Sequence, residues 1–154
     1  MQKLTYSVEI SAPADIVWNV LWEKESYEQW TKPFSPGSTY DGSFEAEGNR
    51  VHFHNGEGGG MYSVVARRVE NELLSIRHLG VLGQNGEELP PTADTEQWSN
   101  IFEDYTLTPT ENGVRLDITL DMDDAYADFM NDAFTRALDI IKSLSEQQTQ
   151  EQAT

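Results

Sequence analysis

The 154-residue chain contains no cysteine. This excludes a disulfide framework, a thiolate zinc site, an iron–sulfur cluster and a cysteine nucleophile. Long apolar runs are also missing: no uninterrupted run exceeds three residues, against the roughly 20 that a membrane-spanning helix requires. Positive charge is scarce, with 10 Lys and Arg against 27 Asp and Glu, for a net charge of −17. Contact with a phosphate backbone or an anionic membrane surface takes clustered basic side chains. Neither nucleic acid nor membrane insertion is therefore expected. So acidic a surface keeps a protein soluble and self-repelling, or suits a basic partner. The opening residues Met1-Gln2-Lys3-Leu4-Thr5-Tyr6 lack the apolar stretch of a secretory signal, so a cytoplasmic protein is expected.

What is present is globular. Hydrophobic residues make up 38% and aromatics 10%, well above the composition of a disordered chain. The length fits one domain, expected over residues 1–145, with a polar tail at 146–154 expected to be disordered. The alternation in Leu4-Thr5-Tyr6-Ser7-Val8-Glu9-Ile10 predicts a half-buried strand. Pro13 and Asp15 mark a helix start, and Ile16, Val17, Val20 and Leu21 predict a short helix over 13–22. A second short helix, over 23–31, carries Tyr27 and Trp30. From about 39 to 121 the sequence reads as a meander of strands: one holding Phe44, then 51–54, 61–69, 73–82, 98–108 and 114–120. Turns at Asn55 to Gly60, Asn71-Glu72 and Glu111-Asn112-Gly113 punctuate it. Tyr126, Met130, Ala133, Ala137, Ile140 and Leu144 recur at helical spacing, widened by Phe129, Phe134 and Ile141, and predict a long C-terminal helix. The class is α+β. A helix with so broad an apolar face must lie on a sheet, and about seven antiparallel strands must curl around it. The first strand is expected to pair with the last, with the two short helices plugging one end.

The run Ser7-Val8-Glu9-Ile10-Ser11-Ala12-Pro13-Ala14-Asp15-Ile16-Val17-Trp18 resembles the opening signature of the START/Bet v-type helix-grip superfamily, labelled SRPBCC. Leu73-Leu74-Ser75-Ile76 and Gly113-Val114-Arg115-Leu116-Asp117-Ile118 resemble strands of its AHSA branch, related to the C-terminal domain of the co-chaperone that activates the Hsp-ninety ATPase. The resemblance covers residues 4–145. It implies a helix-grip fold with a cavity between sheet and C-terminal helix, and it admits lipid and aromatic binders, polyketide cyclases and co-chaperone domains.

Within that frame, alternation on 98–108 turns Ile101, Glu103, Tyr105 and Leu107 inward, and on 73–82 it groups Leu74, Ile76 and His78. His78 and Glu103 are thus expected either to form a polar anchor or acid–base pair in the cavity, or to be a pair with no further role, buried and hydrogen-bonded or exposed at the mouth. Trp30, Ile76, Tyr105, Tyr126, Phe129, Met130 and Phe134 are the expected apolar ligand contacts. Trp22, Trp30, Trp98 and Phe34 converge near the helix plug. His52 and His54 point to one side of their strand, with Val51 and Phe53 inward, and their spacing specifies no metal site. Gly56-Glu57-Gly58-Gly59-Gly60 is a turn and not a phosphate loop, since neither a Lys-Ser/Thr pair nor a helix follows it. The expected function is non-enzymatic binding of a small hydrophobic molecule, lipid-like or aromatic. The alternatives are a co-chaperone-like interaction module that engages a basic protein surface, and a cyclase or hydrolase using His78 and Glu103. No cofactor is expected, and the expected state is a monomer or weak homodimer.

Overall fold

The computed structural model describes residues 1–153. Strand β1 (Gln2–Ile10) is followed by helices α1 (Ala14–Trp22) and α2 (Lys24–Trp30). Six strands come next: β2 (Thr39–Gly42), β3 (Arg50–His54), β4 (Gly60–Val69), β5 (Leu73–Leu82), β6 (Ile101–Pro109) and β7 (Val114–Met122). Helix α3 (Ala127–Ala153) closes the chain. The strands form one antiparallel sheet in the order β1-β7-β6-β5-β4-β3-β2, so the first strand pairs with the last and the rest form a meander. This is the curved sheet and long helix that the alternation and the α3 stripe predict.

The core lies on the concave side. Val17, Val20 and Leu21 of α1, Leu74 and Ile76 of β5, Leu116 and Ile118 of β7, and Phe134, Ala137 and Ile141 of α3 are essentially sealed from solvent. Helix α3 packs on α1, α2 and β1, where Phe134 stacks on Tyr6 with ring centroids 4.6 Å apart. The end of α1 is tied to α2 and to the sheet through its own last carbonyls. Trp30 Nε1–H donates to Leu21 O at 3.2 Å and Tyr40 O–H donates to Trp22 O at 2.6 Å. Both acceptors belong to the last turn of the helix, which has no partners of its own for them.

Four expectations need correction. The segment 146–153 is helical, continuing α3, while Thr154 lies outside the described residues. Gln and Glu are good helix formers, and Glu146 fastens this stretch to the body, accepting from Lys142 Nζ at 2.7 Å and from Ser11 N–H at 2.9 Å. Phe44 lies past the end of β2, in the bend that follows, and is buried there. Trp98 falls in a 3₁₀ turn, Glu96–Trp98, ahead of β6. Tyr126 ends another such turn, Asp124–Tyr126, capped by the Asp123 carboxylate accepting from Ala125 N–H. It is therefore out of the phase of α3.

Candidate functional site

Strands β5 and β6 pair with Ile76 opposite Glu103 and His78 opposite Ile101, which makes His78 and Glu103 diagonal neighbours on the inner face. His78 Nε2 lies 3.0 Å from Glu103 Oε1. Two residues further along β6, the Tyr105 hydroxyl donates to Glu103 Oε2. On the other side, His78 Nδ1 is 2.6 Å from Ser63 Oγ on β4. The result is a polar row, Ser63–His78–Glu103–Tyr105, running across three strands of an otherwise apolar wall. Ser63 escapes sequence reasoning because the β4–β5 ladder changes register between Tyr62 and Ser63 and again between Val65 and Arg67. Such bulges re-aim side chains without a signal in simple alternation.

Electrostatics follow from the partners. Burial alone would raise the Glu103 pKa, but the hydrogen bond and charge of His78 and the Tyr105 hydroxyl outweigh it and hold the carboxyl below its usual value. Tyr105 moves the other way: burial, then the Glu103 charge, pushes its phenol well above the ordinary value. Tyr27 is raised for the same two reasons, burial first.

A cavity of about 300 Å³ opens beside this row, between the sheet, α2 and the start of α3. That volume is at the small end of the range for small-molecule pockets. Of the expected contacts, Trp30, Ile76, His78, Glu103, Tyr105, Phe129, Met130 and Phe134 all line it. Tyr126 does not: it is 49% exposed and lies edge-on to Trp98 at 5.6 Å. Trp22, Trp98 and Phe34, expected near the helix plug, also line the cavity, and Phe53 joins them from β3. Tyr27, Met61 and Asp121 also line it, brought in by chain crossings that no local pattern encodes. Ala133 and Ala137, the small residues of the α3 stripe, are buried but do not reach the cavity. They serve close approach of the helix, and Leu138, outside the predicted stripe, is buried with them. Phe102 and Phe129, 37% and 48% exposed, mark the mouth.

The rim is built by backbone contact. A Cβ on Gly56 would sit 2.5 Å from Gly37 Cα, and Gly56 has φ of 80°. Only glycine allows the 56–60 turn to close against the loop after α2, where the Ser35 hydroxyl donates to Asn55 O. His52 and His54 each pair with a carboxylate, His52 with Glu88 at 2.8 Å and His54, which also lines the cavity, with Asp41 at 2.9 Å. Among the described residues no group of three or more His, Asp or Glu is placed to hold a metal ion. Among the buried groups without a hydrogen-bond partner, Trp22 Nε1 belongs to a residue that lines the cavity, its ring enclosed by Phe44 at 4.7 Å and Tyr105 at 4.8 Å.

A seven-stranded antiparallel sheet wrapped on a long C-terminal helix, with two short helices stopping one end, defines a helix-grip protein. Residues 1–146 match the family described as polyketide cyclase / dehydrase and lipid transport, and the chain belongs to it. Solved structures agree on the fold. Protein MLL2253 from Mesorhizobium loti is 19% identical over 93% of this chain and 96% of its own, with a TM-score of 0.69. The Aha1 dimer from Colwellia psychrerythraea is 18% identical over 94% of this chain and 97% of its own, with a TM-score of 0.66. An AHSA1-like protein from Aeromonas hydrophila is 16% identical over 94% and 92%, with a TM-score of 0.64. No curated protein matches the sequence. No helix among the described residues is long and apolar enough to cross a membrane.

Proposed function

We propose that this protein binds a small hydrophobic molecule, lipid-like or aromatic, in the cavity between its sheet and α3, without turning it over. The observation that carries this reading is the cavity itself, open and apolar beside a single polar row. Apolar walls supply affinity through area removed from water, and a few fixed polar groups supply orientation.

The enzymatic reading draws on the cyclase and dehydrase in the family's description. Against it stands the engagement of His78, whose two nitrogens are both met within the wall, by Ser63 and by Glu103. A general base needs a free position within hydrogen-bond reach of the substrate proton, and His78 has none. The co-chaperone-like reading rests on fold likeness at 16–18% identity, which speaks to architecture alone.

Native mass spectrometry of the protein purified from a cell extract tests the binding reading. The expected result is an adduct of defined mass that is released on denaturation. A bare chain from every extract, together with turnover of ester or polyketide mimics that His78→Ala abolishes, would replace binding with catalysis.

A further inference from the structure

We infer that the guest carries a cationic amine as its polar end, held by the Glu103 carboxylate, with an aromatic or aliphatic body among the surrounding rings. This rests on the cavity-binding reading above and narrows it to a chemical class.

Apart from His54 and His78, the ionisable carboxylates and cations of the lining are of one sign. None of the described residues around the cavity is a lysine or arginine, while two, Glu103 and Asp121, carry carboxylates. Asp121 has its own cation, Lys3 Nζ at 3.3 Å, and accepts from Phe102 N–H at 3.0 Å. Glu103 has no lysine or arginine partner, and its one donor able to carry positive charge is His78. His78 Nε2 lies 3.0 Å from one carboxylate oxygen, and its Nδ1 meets Ser63 Oγ at 2.6 Å. The Tyr105 hydroxyl occupies the other oxygen. A carboxylate offers about four lone-pair sites, so two remain, on a side chain that keeps 22% of its surface exposed. His78 and Tyr105 hold Glu103 ionised at neutral pH.

A guest carboxylate in this cavity would meet a like charge across an apolar wall, where water screens little. A guest ammonium would meet an opposite one, and the faces of Trp30, Tyr27 and Tyr105 would add the attraction of aromatic rings for cations. The chain's net charge of −17 favours the same sign of guest at longer range.

The test is isothermal titration calorimetry at neutral pH with three probes of one body, 1-naphthylmethylammonium, 1-naphthylmethanol and 1-naphthoate, alongside the uncharged dye Nile red. The ammonium is expected to bind at least about tenfold tighter than the carboxylate. The gap is expected to shrink in Glu103→Gln and to persist between about 0.1 M and about 0.5 M salt, which screens distant surface charge but not a contact in the cavity. A carboxylate that binds as tightly, a gap unchanged in Glu103→Gln, or a gap erased by salt overturns the inference. If Nile red and the alcohol bind while the ammonium shows no preference, cavity binding stands and the amine alone falls. If nothing binds, both fall. Should Glu103→Gln lose its far-ultraviolet dichroism, the ratio in the unaltered chain at the two salt concentrations decides.

Discussion

Glu103 sits on the inner face of β6 between a histidine and a tyrosine, and its neighbours are buried phenols. This arrangement sets opposite limits on stability at the two ends of the pH scale. The Glu103 carboxyl is held below its unfolded value of 4.5, so the stability it contributes is fully present above that value and is lost as pH falls through the lower, folded one. The Tyr105 phenol is raised above 10.0. It stays protonated in the fold while the unfolded chain ionises, so stability falls as pH rises past about 10. Urea midpoints are therefore expected to form a plateau between these limits, and Glu103→Gln to flatten the acid limb while easing the alkaline one only in part, because burial, the larger cause of the raised Tyr105 value, remains. An acid limb identical in both proteins would show that Glu103 is not the group responsible. Alternation alone was enough to place His78 and Glu103 on one face, since a strand's period of two leaves no choice once Leu74, Ile76, Tyr105 and Leu107 point inward. The same alternation could not reveal Ser63, whose position opposite His78 depends on an irregular ladder.

At the scale of elements, α3 shows what a helical stripe does and does not encode. Its existence and its contact face were legible, because Ala133, Phe134, Ala137 and Ile141 recur at a period that only a helix satisfies. The division of labour along that face was not. Ala137 is fully buried against its neighbours and away from the cavity, whereas Met130 and Phe134 line it. Ala137→Leu is thus expected to overpack the contact and cost about 1–3 kcal/mol in urea unfolding. Stability unchanged by that substitution would mean that space lies beneath Ala137 after all. The polar composition of 146–153 reads as disorder, whereas the structure continues α3 through it. The ties from Glu146 to Ser11 and Lys142 join residues 135 and 4 positions apart, and the first of these is invisible to any local window. Tyr126 was misplaced for a related reason: a 3₁₀ turn before the helix shifts its phase.

For the molecule as a whole, charge is the dominant global variable. With 27 acidic and 10 basic side chains, repulsion among carboxylates outweighs exposed ion pairs such as Lys24–Asp41 and Arg136–Asp132, each worth little on its own. The melting temperature is expected to rise between about 0.01 M and about 0.5 M sodium chloride as the Debye length shrinks. A flat or falling curve would show that attractive pairs balance the repulsion. The global architecture was legible because element order and pairing rules leave few ways to cover so broad a helix face. The cavity's existence followed from that architecture, while the loops and crossings that complete its walls did not. Three of the four indoles, those of Trp22, Trp30 and Trp98, line this one space, and Trp18 lies outside it beneath Arg68. Whatever enters alters the surroundings of three chromophores at once, so the intrinsic emission spectrum carries an occupancy signal with no label attached.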